Sequence, residues 1–124
     1  MPDANILLVD DNVTFRSTLA QVLEADGYVS TQAGRGDEAI EIVRGGSAGR
    51  LALLVLDLNL PDTTGVGLYR ALAEEVIETP CIFMTAEASE ELILRALELN
   101  PLELLRKPFE MQLFRDLVRG AIRN

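Results

Sequence analysis

One stretch restricts the fold more than any other: Leu53-Leu54-Val55-Leu56-Asp57-Leu58-Asn59-Leu60-Pro61-Asp62-Thr63-Thr64-Gly65. Four consecutive large aliphatic residues describe a strand buried on both faces, because a strand with one wet face alternates apolar and polar side chains. The run stops on Asp57. Pro61 cannot donate to a sheet ladder and Gly65 tolerates unusual backbone angles, so the chain leaves the sheet just past Asp57. Asp57 therefore sits at the C-terminal end of a buried strand, the edge where ligands bind in open parallel sheets. Taken alone, such a carboxylate reads first as a loop residue that caps the helix after Gly65.

The rest of the chain repeats the same arrangement. Ile6-Leu7-Leu8-Val9 is a first buried strand ending on Asp10-Asp11. From Asn12 the period changes to that of a helix, with Phe15, Leu19, Val22 and Leu23 on one face, Asn12 as N-cap and Gly27 as the stop. Tyr28 to Ala33 is more polar and belongs at a sheet edge. A short helix over Asp37 to Arg44 and a flexible Gly45-Gly46-Ser47-Ala48-Gly49 loop lead into the Asp57 strand. Beyond Gly65 a helix runs to about Val76, carried by Leu68, Leu72 and Val76. Cys81-Ile82-Phe83-Met84 is a fourth strand ending on Thr85-Ala86, and a helix from about Ser89 to Leu99 breaks at Asn100-Pro101. Leu102 to Arg106 is the fifth strand, ending on Lys107-Pro108. In the last helix Leu113, Phe114, Leu117, Val118, Ala121 and Ile122 form a stripe facing a core.

Five strand-helix units in succession give a doubly wound α/β fold, with a parallel sheet, right-handed crossovers and helices on both faces. One polar edge strand favours the flavodoxin-like order 2-1-3-4-5. The whole chain, residues 1–124, reads as one domain with no linker, repeat or separate effector domain.

That topology brings distant residues together. Four strands end on Asp10-Asp11, Asp57, Thr85 and Lys107, and parallel strands deliver all of these ends to one edge. Solvated polar residues at strand ends explain any one of them, but poorly explain the set. Three carboxylates a few ångströms apart cannot all stay ionised unless a cation joins them. Oxygen ligands with room for water suit Mg²⁺ or Mn²⁺, held by Asp10, Asp11, Asp57 and the main-chain carbonyl of Asn59. Asp57 is then a nucleophile able to attack a phosphoryl group and form an aspartyl phosphate, with Lys107 and the Thr85 hydroxyl on the transferring oxygens.

Composition closes off the alternatives. The chain has no histidine, which removes Ser-His-Asp catalysis and imidazole-built zinc sites. Its single cysteine, Cys81, lies between apolar neighbours and can form no internal disulfide. Twenty acidic against eleven basic residues give a net charge of −9, which repels nucleic acid. No apolar run is long enough to span a membrane and the N-terminus lacks a positive secretion signal, so a cytoplasmic location is expected.

The acidic pair after the first strand, Asp57-Leu58-Asn59-Leu60-Pro61 with Gly65, Thr85-Ala86 and Lys107-Pro108-Phe109, in that order, resemble the receiver domains of two-component response regulators. The resemblance covers essentially the whole chain. It implies a phosphorylation switch without other enzyme activity, with Asp57 as phosphoacceptor, Asp10 and Asp11 as the metal pair, Thr85 as the switch hydroxyl and Lys107 as the phosphate partner. The implied partners are a sensor histidine kinase or phosphotransfer protein, whose phosphohistidine is the donor, and a downstream effector domain or protein. Homodimerisation through the fourth and fifth helices is a further expectation. The Lys107-Pro108 peptide is often cis in such domains.

Two departures stand out. Leu104 occupies the position three before the lysine where the family carries Tyr or Phe, so the face formed by the fourth helix, fifth strand and fifth helix must couple to phosphorylation in an atypical way. Asn100-Pro101 replaces a common Gly-Ala pair and stiffens that loop. By the same resemblance Asn59 and Glu87 flank the path of an attacking water and tune the lifetime of the acyl phosphate; alternatively, Glu87 merely starts the fourth helix, where negative charge suits the dipole.

Two rival functions share this chemistry or fold. A haloacid dehalogenase-type phosphatase wants a second Asp two residues after the nucleophile, where this chain has Asn59, and a cap domain that 124 residues do not hold. An FMN carrier of flavodoxin type cradles phosphate in its first loop, which Asp10-Asp11 would repel.

Overall fold

The computed structural model describes residues 5–76 and 79–122. The elements alternate as expected: β1 (Asn5–Val9), α1 (Val13–Ala25), β2 (Val29–Ala33), α2 (Gly36–Arg44), β3 (Leu51–Asp57), α3 (Gly65–Ala71), β4 (Cys81–Thr85), α4 (Glu90–Leu97), β5 (Glu103–Arg106) and α5 (Met111–Ala121). The five strands are parallel in the order β2-β1-β3-β4-β5. The three central strands are apolar between their ends because both faces are covered. Leu7, Leu54, Leu56 and Phe83 pack with α2, α3 and α4, whereas Ile6, Leu8, Val55 and Ile82 pack with Leu19 and Leu23 of α1 and Phe114 and Val118 of α5. Each such side chain contributes roughly 1.5–3 kcal/mol by leaving water. The polar strand β2 lies at an edge, with Val29 46% exposed.

Local signals act as the sequence suggests at most boundaries. Asn12 caps α1 through a side-chain bond from the Phe15 amide at 2.9 Å, and Gly27 ends it with φ +91°. At the break after α4, Asn100 takes φ +55°, a region Asn enters more readily than other non-glycine residues, and Pro101 follows.

Three expectations need correction. The third helix stops at Ala71, five residues before Val76, and a run of turns carries Leu72 and Val76 inward, so four-residue spacing marked burial rather than continuous helix. Leu113 does not join the α5 stripe but is 46% exposed. At about 100° per residue it falls outside the arc centred on Phe114 and Val118. Gly65 does not adopt unusual backbone angles; it is needed for space, since a Cβ there would lie 2.6 Å from the Asp57 carbonyl oxygen. The sequence reads the last helix as ending at Ile122-Arg123-Asn124, of which Arg123 and Asn124 lie outside the described residues.

The start of α2 has no cap of its own, because Arg35 offers no side-chain bond. Asp62, from the loop after β3, supplies it: its carboxylate accepts from the Gly36 amide at 2.8 Å and the Asp37 amide at 2.9 Å. These amides hold the Asp62 pKa below its ordinary value. Gly36 allows the approach, since a Cβ would lie 2.5 Å from a Thr63 methyl. A carboxyl with a lowered folded-state pKa stabilises above the unfolded value, and the contribution fades as pH falls through the folded value. Asp62→Ala should therefore lower the melting temperature by a few degrees at neutral pH, and the difference from the parent should shrink below about pH 4. Thermal melts across pH read both effects; a difference unchanged at low pH would refute the cap.

Candidate functional site

The C-terminal strand ends converge as the topology requires. β1 delivers Asp10, whose amide bonds to the Ala33 carbonyl at 3.1 Å; the residue is fully buried. β3 delivers Asp57, 4% exposed, and β4 delivers Thr85, 1% exposed. Lys107 follows β5 and its amide is fixed to the Thr85 carbonyl at 2.8 Å. The Lys107-Pro108 peptide is cis.

The lysine ammonium is the hub. Its Nζ donates to Asp10 Oδ2 at 2.6 Å and to Asp57 Oδ2 at 2.7 Å. Each aspartate satisfies its second oxygen in the same way, by accepting from the main-chain amide two residues on: Asn12 to Asp10 Oδ1 at 2.9 Å and Asn59 to Asp57 Oδ1 at 2.8 Å. Both carboxylates thus face the ammonium with their orientation fixed by their own loops. Burial, aided by the charge of Asp10, pushes the Asp57 pKa above its ordinary value, although Lys107 and the Asn59 amide pull the other way. For Lys107, burial is the largest single influence and opposes the charge, but the hydrogen bonds and charges of Asp10 and Asp57 together outweigh it and raise the pKa.

Asp11 is exposed and completes a group of three carboxylates, with Asp10 and Asp57, whose ligand oxygens lie within 4.8 Å of one another. Hard oxygen donors with one open side are the donor set for Mg²⁺ or Mn²⁺, so these residues fit such an ion. Among the described residues, Thr85 Oγ1 is buried without a hydrogen-bond partner. An orphaned buried hydroxyl is costly in a native fold and marks a place where a ligand oxygen is expected.

The outer positions are placed less directly. Asn59 is exposed, and its side-chain amide donates to the Glu87 main-chain carbonyl, tying the loop after β3 to the loop after β4. Glu87 is exposed and does not start α4. Ser89 caps that helix by accepting from the Leu92 amide at 3.1 Å, and Glu90 and Glu91 occupy its first turn. The helix-dipole reading of Glu87 is thereby removed. Leu104 is half-buried and pairs in register with Phe83.

Two contributors escaped the sequence. Phe15 looked like one more core residue of α1, but its ring lies under the lysine, with Nζ 4.6 Å from the centroid, and it meets Phe109 edge-on at 5.7 Å. A cation over an aromatic face is stabilised where water is scarce. Arg16, also on α1, donates to the Asp10 main-chain carbonyl. Their only sequence signal was proximity to Asp10-Asp11.

Comparison with known proteins identifies the family. Residues 6–119 match the family described as "Response regulator receiver domain". Sporulation initiation phosphotransferase F of Bacillus subtilis (strain 168) is 31% identical over 119 residues, which cover 96% of this chain and 94% of that protein. The transcriptional regulatory protein CpxR of Escherichia coli (strain K12) is 32% identical over 119 residues, but these cover only 49% of CpxR, so the chain spans about half its length. Among solved structures, the non-phosphorylated HemR receiver domain of Leptospira biflexa superposes with a TM-score of 0.84 at 32% identity, covering 98% of each chain. The family match covers most of the chain, and this chain belongs to the response regulator receiver domain family.

Proposed function

We propose that this domain is a phosphorylation-dependent switch in which Asp57 is the phosphoacceptor. The carrying observation is the ammonium of Lys107 seated between Asp10 and Asp57, which joins residues far apart in sequence around one carboxylate nucleophile. In the transfer, an Asp57 carboxylate oxygen forms a bond to phosphorus as the phosphorus–nitrogen bond of a donor phosphohistidine breaks, its electron pair returning to the imidazole. Lys107 donates to one developing phosphoryl oxygen, and the unpartnered Thr85 hydroxyl donates to another. Asp10, Asp11, Asp57 and the Asn59 main-chain carbonyl would hold Mg²⁺ or Mn²⁺, and such a cation, when bound, neutralises charge on the transferring oxygens. The donor is a sensor histidine kinase or phosphotransfer protein, and the recipient of the signal is an effector domain or protein, as the name of CpxR as a transcriptional regulator suggests. Among the described residues no helix is long and apolar enough to cross a membrane.

The acyl phosphate ends by hydrolysis. Asn59 and Glu87 stand on the two loops beside the acceptor, and an exposed carboxylate at Glu87 can orient the attacking water. Incubation with acetyl phosphate and Mg²⁺ should add one phosphoryl group by intact mass to the parent and none to Asp57→Asn. The loaded parent should then lose it faster than Glu87→Ala, by less than the roughly hundredfold typical of a positioned acid–base group, since Glu87 is exposed. Phosphorylation of Asp57→Asn equal to the parent would sink the acceptor assignment, and equal decay would remove Glu87 from the hydrolytic step.

The signal leaves through the face of α4, β5 and α5. Leu94, Leu97, Leu102 and Leu113 are 44–56% exposed, which suits a surface for an effector or a second copy. Leu104 cannot bury a ring as an aromatic residue does, so Thr85 must act on this face by shifting the β4–α4 loop. Beryllofluoride with Mg²⁺ should move backbone amide resonances of α4, β5 and α5; shifts confined to the strand-end carboxylates would contradict this route.

A further inference from the structure

The acidic pair needs more than correct residue types, because Asp10 and Asp11 are adjacent and their carboxylates face one cation only if the peptide between them is held. Its carbonyl is that of Asp10, a fully buried residue placed just past the end of β1. The sheet ladder has ended there, since the last registered partners of β1 are Ala33 and Leu56, opposite Val9. A buried carbonyl without a donor is costly.

Arg16 supplies the donor. From α1 its Nη1 reaches the Asp10 carbonyl oxygen at 2.6 Å, while its Nε donates to Gln32 Oε1 on β2 at 2.9 Å. The guanidinium lies against Gly34, where a Cβ would come within 3.0 Å of Nη1. Asp10 is therefore gripped at both ends, its amide by the Ala33 carbonyl and its carbonyl by Arg16. The planar fork of arginine holds separate N–H groups toward the two acceptors in one fixed geometry, which the single ammonium of lysine, a compact point charge on a flexible stem, does not reproduce.

We infer that Arg16 is a positioning residue for the cation site: anchored on Gln32, it fixes the Asp10–Asp11 peptide and so the direction of both carboxylates, without touching cation or phosphoryl group. The inference rests on reading Asp10 and Asp11 as cation ligands. Residues that orient metal ligands commonly cost about 10- to 100-fold in affinity when removed.

Calorimetric titration of Mg²⁺ into the parent, Arg16→Ala, Arg16→Lys and Gln32→Ala tests this, together with hydrogen exchange of the Asp11 amide in the metal-free proteins. Arg16→Ala should bind Mg²⁺ about tenfold more weakly or worse, Arg16→Lys should recover only part of the loss, and Gln32→Ala should fall between Arg16→Ala and the parent. The Asp11 amide should exchange faster in the same order. Parent affinity in Arg16→Ala, or full recovery in Arg16→Lys, would overturn the inference, the second outcome showing that charge alone matters. If Arg16→Ala does not fold, Arg16→Lys and Gln32→Ala decide, because Gln32 is exposed on the edge strand. If the parent itself binds no Mg²⁺, the cation reading fails, and unchanged amide exchange in Arg16→Lys and Gln32→Ala would separately refute the positioning role.

Discussion

Two buried carboxylates share one ammonium, and the remainder of the molecule is arranged to make that tolerable. Asp10 and Asp57 lie at the ends of adjacent central strands, where burying two carboxylates without a counter-charge is costly. Lys107 supplies it from a third strand end, held over the Phe15 ring, with its amide pinned to β4. A phosphoryl group on Asp57 would present new anionic oxygens to that ammonium and to the unpartnered Thr85 hydroxyl. In the proposed switch the site is an anion trap whose ammonium is engaged with its own carboxylates.

The fold serves this site by burying everything around it. Continuous aliphatic strands leave no wet face on the central sheet, so the C-terminal edge is the accessible place for chemistry. The loops there are fixed by local hydrogen bonds. Main-chain amides two residues downstream orient both aspartates, Asp62 caps α2 from a neighbouring loop, and Asn59 ties the loop after β3 to the carbonyl of Glu87. Movement of Thr85 toward a phosphoryl group would be passed to this tie first.

The architecture was legible because it depends on patterns that one sequence carries: apolar runs ending on polar residues, and a change of period after each. The polarity of Ser30, Thr31 and Gln32 marked β2 as an edge strand, which favoured the observed order among those open to five such units. The convergence of Asp10, Asp11, Asp57 and Lys107 followed from topology alone. What stayed hidden depended on three-dimensional approach. Leu72 and Val76 have helical spacing but lie in turns, Gly65 yields space rather than a backbone angle, and Leu113 lies just outside the buried arc of α5. Phe15 and Arg16 read as ordinary helix residues, because nothing in a linear pattern reveals which side chain lies beneath an ammonium or against a carbonyl.

The central claim is that the Lys107 ammonium and the Thr85 hydroxyl are held ready for oxygens that arrive on Asp57. A crystal structure of the protein with Mg²⁺ and beryllofluoride examines it most directly. Beryllium should be bonded to an Asp57 carboxylate oxygen, with Lys107 Nζ and Thr85 Oγ1 each about 3 Å from a fluorine. Beryllofluoride bound elsewhere, or a Lys107 side chain turned to solvent with Thr85 still unpartnered, would contradict the account.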